Sequence, residues 1–366
     1  MLTNNRRYDI DWLRVIAIGL LLIYHAAIGF QYWGVMLGFI TNDTPWEGLW
    51  APMTMLNVWR IPLLFFVSGM GVYFSMQNRG WKQLLKERAV RIFIPFIFGF
   101  FVIVPAQVYV WQYYYQRPLS YSAGPAHLWF LGNIFVYVIL FAPVFFYLKK
   151  HGNGRVASVT KKILSHPLGL LVVIAAFVAE VLLVNPNPYE LYAMTLHGFL
   201  LGMLAFFFGF CFAFAGSSFR NMITKWRWLL LAAAALLYTG RLLQFQPGMP
   251  NVLLAIESNC WVFTVLAFGG KYLNRPGKTL GYLSKAAYPV YIMHMLFLFL
   301  ASLVVLPLDI DVRIKFLMVL LITVASCFAF YELVVKRVGV LSILFGLKKS
   351  KIEKTIVSKS LAQANL

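Results

Sequence analysis

Ten apolar stretches dominate this sequence, at approximately residues 11–38, 50–77, 92–114, 128–148, 167–184, 193–216, 228–246, 252–270, 283–306 and 314–335. At 1.5 Å per residue, a helix needs roughly 20 apolar residues to cross a hydrocarbon core of about 30 Å. Short loops rich in Asn, Pro and Gly, such as Thr41–Glu47 and Asn185–Glu190, separate the runs. The chain is 61% hydrophobic and 12% charged, more apolar surface than a soluble interior can hide. The expected fold is therefore all-α: a polytopic membrane protein with about ten transmembrane helices. One membrane domain is expected over residues 1–346 and a short basic cytoplasmic tail over 347–366. The apolar run that follows Arg6 and Arg7 is too long for a signal peptide and has no small-residue cleavage site after it, so it reads as a retained first span.

A net charge of +20 invites a nucleic-acid reading. The positions of the charges oppose it, because they sit in short loops rather than along a polar helix. With the N-terminus inside, alternate loops collect most of the 32 basic residues: Arg79 to Arg91, Lys149 to Lys162, Arg220 to Arg227, Lys271 to Lys278 and the tail. The opposite loops hold little beyond Arg117, Arg313 and Lys315. Basic residues gather on the cytoplasmic side of membrane proteins, so both ends are expected there. Cys211, Cys260 and Cys327 are each isolated in apolar runs, which supports neither a disulfide framework nor a metal site.

Ionisable side chains at bilayer depth are costly and mark functional sites. Counting about 1.5 Å per residue from the cytosolic span ends places His25, Arg60, Arg241, Glu257 and His294 roughly 18–28 Å deep. They form one expected layer in the outer half of the membrane. A second layer lies near the cytosol: Asp11, Arg14, Arg88, Arg91 and Glu332. Arg14 and His25 are eleven residues apart, about three turns, and so share a helix face some 16 Å apart. Asp11 is placed to pair with Arg14. Arg241 is read as reaching back to the outer surface. His294, one turn after Tyr291, is also compatible with a structural hydrogen-bond network.

These residues sit in a recognisable order. Tyr8-Asp9-Ile10-Asp11-Trp12-Leu13-Arg14 leads to His25. Arg60-Ile61-Pro62-Leu63-Leu64-Phe65-Phe66-Val67-Ser68-Gly69 precedes Arg88-Ala89-Val90-Arg91-Ile92-Phe93-Ile94-Pro95. Then come His127-Leu128-Trp129-Phe130-Leu131, Gly281-Tyr282-Leu283-Ser284, Tyr288-Pro289-Val290-Tyr291-Ile292-Met293-His294, and Glu332. Over residues 8–337 the chain resembles the acyltransferase-3 family, bacterial membrane enzymes that acylate surface and periplasmic glycans. The His127 segment and the overall size are similar to the subgroup that modifies periplasmic glucans.

The resemblance implies a multi-pass protein of the bacterial inner membrane, with acetyl-CoA or succinyl-CoA as co-substrate and a glycan or other hydroxyl acceptor. It implies catalysis by His25 with support from Arg14, and the reading of the residues adds Asp11, placed to pair with Arg14, and Arg60 to the expected catalytic group. An unperturbed pKa of about 6.5 suits His25 to general-base work. Arg88, Arg91 and Glu332 would serve the acyl-CoA site, and Arg60 would stabilise the oxyanion or orient the acceptor. His127, Trp129, Glu257, Tyr291 and His294 would meet the acceptor. No metal and no permanently bound cofactor are expected, nor a second acyl-handling site outside the bilayer. The acyl group, the acceptor and the oligomeric state stay open at this point. The competing class is a transporter whose buried charges line a path, although paired helix breaks in two halves are not visible.

Overall fold

A computed structural model describes residues 6–244 and 248–347. The expected basic tail lies outside the described residues except for Leu347. Among the described residues the protein is all-α, and eight helices are long and apolar enough to cross a membrane. They are α1 (Tyr8–Ile28), α2 (Glu47–Met76, opening with a 3₁₀ turn), α3 (Trp81–Tyr114), α4 (Ala126–Lys150), α7 (Leu196–Ala215), α9 (Asn251–Tyr272), α10 (Lys278–Val305) and α11 (Val312–Val335). A ninth span is formed if α5 (Arg155–Leu164) and α6 (Leu168–Val184), which meet at 97°, count as one broken crossing. The remaining expected span corresponds to α8 (Ser217–Gln244). It is a continuous helix, but Arg220, Lys225, Arg227 and Arg241 leave it less apolar than the others. A last short helix, α12, covers Gly339–Leu344.

Two expected boundaries change for local reasons. The first helix stops at Ile28 rather than near residue 38, because the chain turns at Gly29 and runs extended at Gln31. Residues 29–49 then fold into short turns at the end of the bundle away from most of the basic residues. Phe30, Phe39 and Ile40 are buried there beside Phe299 and Phe316. Tyr115 ties this cap down by donating to the Phe39 carbonyl at 3.2 Å. The third helix begins earlier than expected, at Trp81, and contains two π-helical turns, Ala89–Phe93 and Gly99–Ile103. Each ends two residues before a proline, Pro95 or Pro105. A proline removes an amide donor from the ladder, and widening the preceding turn accommodates the gap.

α2 is the most enclosed span and packs most extensively on α7. Glycines allow that approach. A Cβ at Gly69 would run into the Phe206 carbonyl oxygen, and one at Gly209 would run into the Phe66 carbonyl oxygen. Between membrane helices there is little hydrophobic drive, so close packing at small residues supplies much of the association. α1 lies against α2, α9, α10 and α11, which buries one face along its length and leaves the other, with Ile16 and Ile23, exposed. The outward surfaces carry exposed Leu182, Leu183, Leu236 and Leu243, as lipid contact requires. Replacing Gly69 or Gly209 with Leu must push α2 and α7 apart. Each change is expected to cost about 2–4 kcal/mol, read as a lower midpoint of thermal denaturation in detergent, whereas Gly19→Leu, which meets no neighbouring atoms, leaves the midpoint close to wild type.

Candidate active site

The two ends of α1 carry two separate polar clusters. At the deep end, His25 Nδ1 lies 2.8 Å from His294 Nε2, and the rings stack with centroids 5.1 Å apart. His294 is fully buried, and its Nδ1 lies 2.6 Å from the Tyr291 carbonyl oxygen. His127 meets the edge of His294 at 5.0 Å between centroids, with its own Nε2 3.0 Å from the Ile292 carbonyl oxygen. Tyr291 donates from its hydroxyl to the His127 carbonyl at 2.5 Å. The turn that delivers His127 contains Ala126 at φ +37°, a conformation costly for a residue with a Cβ. Tyr291, Ile292 and His294 of α10 thus hold both other imidazoles, while His25 alone of the bonded pair keeps partial exposure.

Arg60 is 3% exposed, and its guanidinium carbon sits 3.7 Å above the Tyr24 ring, a cation–π contact that compensates part of its desolvation. It is within electrostatic reach of His25, and its Nε and Nη1 have no hydrogen-bond partner among the described residues. Trp129 packs on Phe65 rather than on the imidazoles, with centroids 6.0 Å apart.

Glu257 and Arg241 form their own pair away from the imidazoles. Arg241 Nη2 donates to Glu257 Oε1 at 2.8 Å and to the Thr54 carbonyl at 2.8 Å, while Trp261 donates to the same carboxylate at 3.3 Å. Arg241 is only 7% exposed, so the expectation that it reaches the outer surface is corrected. A buried acid on the facing helix α9 holds it inside.

At the basic end, the guanidiniums of Arg14 and Arg88 converge on Gly71. Arg88 Nη2 lies 3.4 Å from the Gly71 carbonyl oxygen, and a Cβ at that glycine would sit 3.2 Å from Arg14 Nη2. Arg14 also faces Asp11 at 3.6 Å, although Asp11 is closer to Arg6, at 2.9 Å. Arg91, in the first π turn, pairs with Glu87 at 3.2 Å, and Arg79 reaches the same carboxylate at 3.1 Å. Arg88 Nε and the Tyr288 hydroxyl are buried with no partner among the described residues. Glu332 does not join this group. It pairs with Lys336 at 2.8 Å on a largely exposed face of α11.

Sequence reasoning missed three features. Glu87 holds two of the arginines. Tyr24 carries Arg60. Glu180 of α6 bonds His197 Nδ1 of α7 at 2.9 Å, both side chains almost fully buried, with Tyr189 and Tyr192 packed on the imidazole. Glu180 was detectable, since it is the single charge in the 167–184 run and an acid at that depth requires a partner. Nothing in the sequence links Tyr24 to Arg60.

Removing one member of a buried ion pair strands the other. Glu257→Ala is expected to destabilise the protein by about 3–5 kcal/mol, measured by denaturant titration in mixed micelles. The Glu257→Ala, Arg241→Met double variant should recover a good part of that loss.

No curated protein and no solved structure matches the chain. The family described as an acyltransferase domain matches residues 7–332, which takes in both clusters and every helix before the last turn of α11. The order of motifs along α1, α2, α3, α4 and α10 agrees with that match, and the chain belongs to the acyltransferase-3 family of membrane acyltransferases.

Proposed function

We propose that this membrane acyltransferase moves a short acyl group, acetyl or succinyl, from acyl-CoA to a hydroxyl of a glycan or other envelope acceptor. The observation that carries the reading is the pairing of two clusters by one helix. Arg14 and His25 share a face of α1, the first in a cluster where arginines outnumber the acids that pair with them and the second in an imidazole network. Family membership favours this chemistry over the transport reading.

At the basic end, taken as cytosolic by the distribution of Lys and Arg, Arg14, Arg88 and Arg91 suit the phosphates of coenzyme A. Guanidiniums bind such oxyanions through paired N–H donors. The unpartnered Arg88 Nε and Tyr288 hydroxyl add donors beside them. Asp11 orients Arg14. Glu332, turned away on α11, has no part in this site.

At the deep end, the acceptor oxygen attacks the thioester carbonyl carbon while its proton passes to His25. The new C–O bond forms as the carbonyl electron pair moves onto oxygen. Collapse of the intermediate breaks the C–S bond, and the sulfur leaves with the proton returned by His25. Arg60 has two guanidinium nitrogens, Nε and Nη1, without a partner among the described residues with which to stabilise the oxyanion or orient the acceptor. His127 and Trp129, both partly exposed, provide an imidazole and an aromatic face of the kind that hold a sugar, while buried Tyr291 and His294 support them from behind. Glu257, paired to Arg241, shapes the neighbouring wall.

The test uses purified protein in proteoliposomes, with acetyl-CoA and succinyl-CoA supplied in turn and free thiol followed with time. Envelope glycans from cells carrying the wild type or His25→Ala, compared by mass spectrometry, identify the acyl group and acceptor. His25→Ala is expected to lower turnover at least 10²-fold and to abolish one discrete acyl mass increment. Wild-type turnover in that variant would remove His25 from the chemistry. Changing Arg88 and Arg91 together to Gln should raise the KM for acyl-CoA tenfold or more without unfolding the protein. An unchanged KM would place the donor elsewhere.

A further inference from the structure

We infer that His294 is a positioning residue that holds His25 in its Nδ1–H tautomer and leaves His25 Nε2 as the atom that takes the acceptor proton. The inference rests on the proposed role of His25 as base and identifies which of its two nitrogens acts.

A backbone carbonyl can only accept. His294 Nδ1, 2.6 Å from the Tyr291 carbonyl oxygen, therefore carries a hydrogen. His294 is fully buried and has no carboxylate bonded to it among the described residues, so an imidazolium there would be an uncompensated buried charge. Neutral His294 thus has a lone pair on Nε2. That nitrogen faces His25 Nδ1 at 2.8 Å, which must then be the donor. Neutral His25 with Nδ1–H has its lone pair on Nε2.

The surroundings agree. The charged and titratable groups within reach of His25 are His294 from α10, Arg60 from α2 and His127 from the opening turn of α4. None is an acid that could reverse the direction of the hydrogen bonds. Phe39 closes another side of the ring, edge-on at 5.6 Å. His127 is fixed by the same logic, since its Nε2 donates to the Ile292 carbonyl at 3.0 Å. Successive carbonyls on α10 therefore set the tautomers around the site. His294 cannot itself be the base, because both of its nitrogens are engaged and it has no exposure.

The relay runs from His25 through His294 to the Tyr291 carbonyl, in the sense of an acid–histidine pair in which an outer acceptor orients the working imidazole. A neutral acceptor replaces the carboxylate, which avoids burying a second charge. When His25 takes the acceptor proton on Nε2, its Nδ1–H bond to His294 becomes charge-assisted and strengthens. That gain arises during proton transfer rather than in the ground state, so it favours kcat.

The experiment compares wild type, His294→Phe, His294→Gln and His25→Ala in proteoliposomes. It adds nitrogen-15 NMR of histidine-labelled protein to assign the tautomer of His25. Wild type should show a protonated Nδ1 and a bare Nε2 at His25. His294→Phe, which has no acceptor, should lower kcat about 10²-fold with the KM for acyl-CoA unchanged and with both tautomers of His25 present. His294→Gln, whose amide oxygen can take the His25 N–H, should recover at least tenfold of that loss. A wild-type spectrum with Nε2–H at His25, or a His294→Phe enzyme with normal kcat, overturns the inference. Full activity in His25→Ala would instead overturn the reading on which it rests. The wild-type spectrum decides the tautomer even if the Phe variant does not fold.

Discussion

Water is absent from the hydrocarbon core, and each polar group placed there must find its partner in protein. Arg241 is inside because Glu257 on the next helix and the Thr54 carbonyl receive its N–H groups. His197 is inside because Glu180 does the same for its Nδ1. Arg60 lies on the face of Tyr24. These pairs connect α2, α6, α7, α8 and α9 at fixed heights, while glycine contacts between α2 and α7 set the spacing. Packing and polar pairing together bury one face of α1 against its neighbours, with Arg14 and His25 at its two ends.

The two clusters differ in how they are balanced. In the His25 cluster the groups are neutral, His25 bonded to His294 and backbone carbonyls bonded to His294 and His127, and nearby Arg60 lies on an aromatic ring. At the basic end Arg79 and Arg91 share Glu87, while Arg88 keeps an unpaired N–H and Arg14 has only a long contact with Asp11. An excess of unneutralised guanidinium suits a polyanionic donor group, and a neutral imidazole suits proton transfer. The span of α1 between them keeps the arginine cluster and the imidazole cluster apart.

Much of the deep site was legible because its residues break an apolar pattern. His25, Arg60, Glu257 and His294 each interrupt a run that otherwise has no need of them. Depth counting from loop boundaries brought them to one height, but it could not divide them by azimuth. The structure divides that layer into an imidazole cluster and the Arg241–Glu257 pair. The same limit explains Glu332, which depth places beside the arginines and helix rotation turns away to Lys336. Residue 38 as the end of the first span was set by hydropathy alone. The actual stop at Ile28 follows from backbone turns among residues that remain apolar because they bury against Phe299 and Phe316.

The class of fold, the approximate span positions, the shared face of Arg14 and His25 and the family itself were determined by local composition and motif order. Hydropathy and helical period act along the chain, so they can be read along it. Contacts between helices far apart in sequence are decided by rotation and tilt, set by which small residues meet and which polar groups need partners. The bond from His25 to His294, the seat of Arg60 on Tyr24 and the Ile292 carbonyl that orients His127 all depend on that packing. They place hydrogen-bonding atoms within about 3 Å across helices separated by as many as 269 positions in sequence, a precision no pattern within a single helix carries.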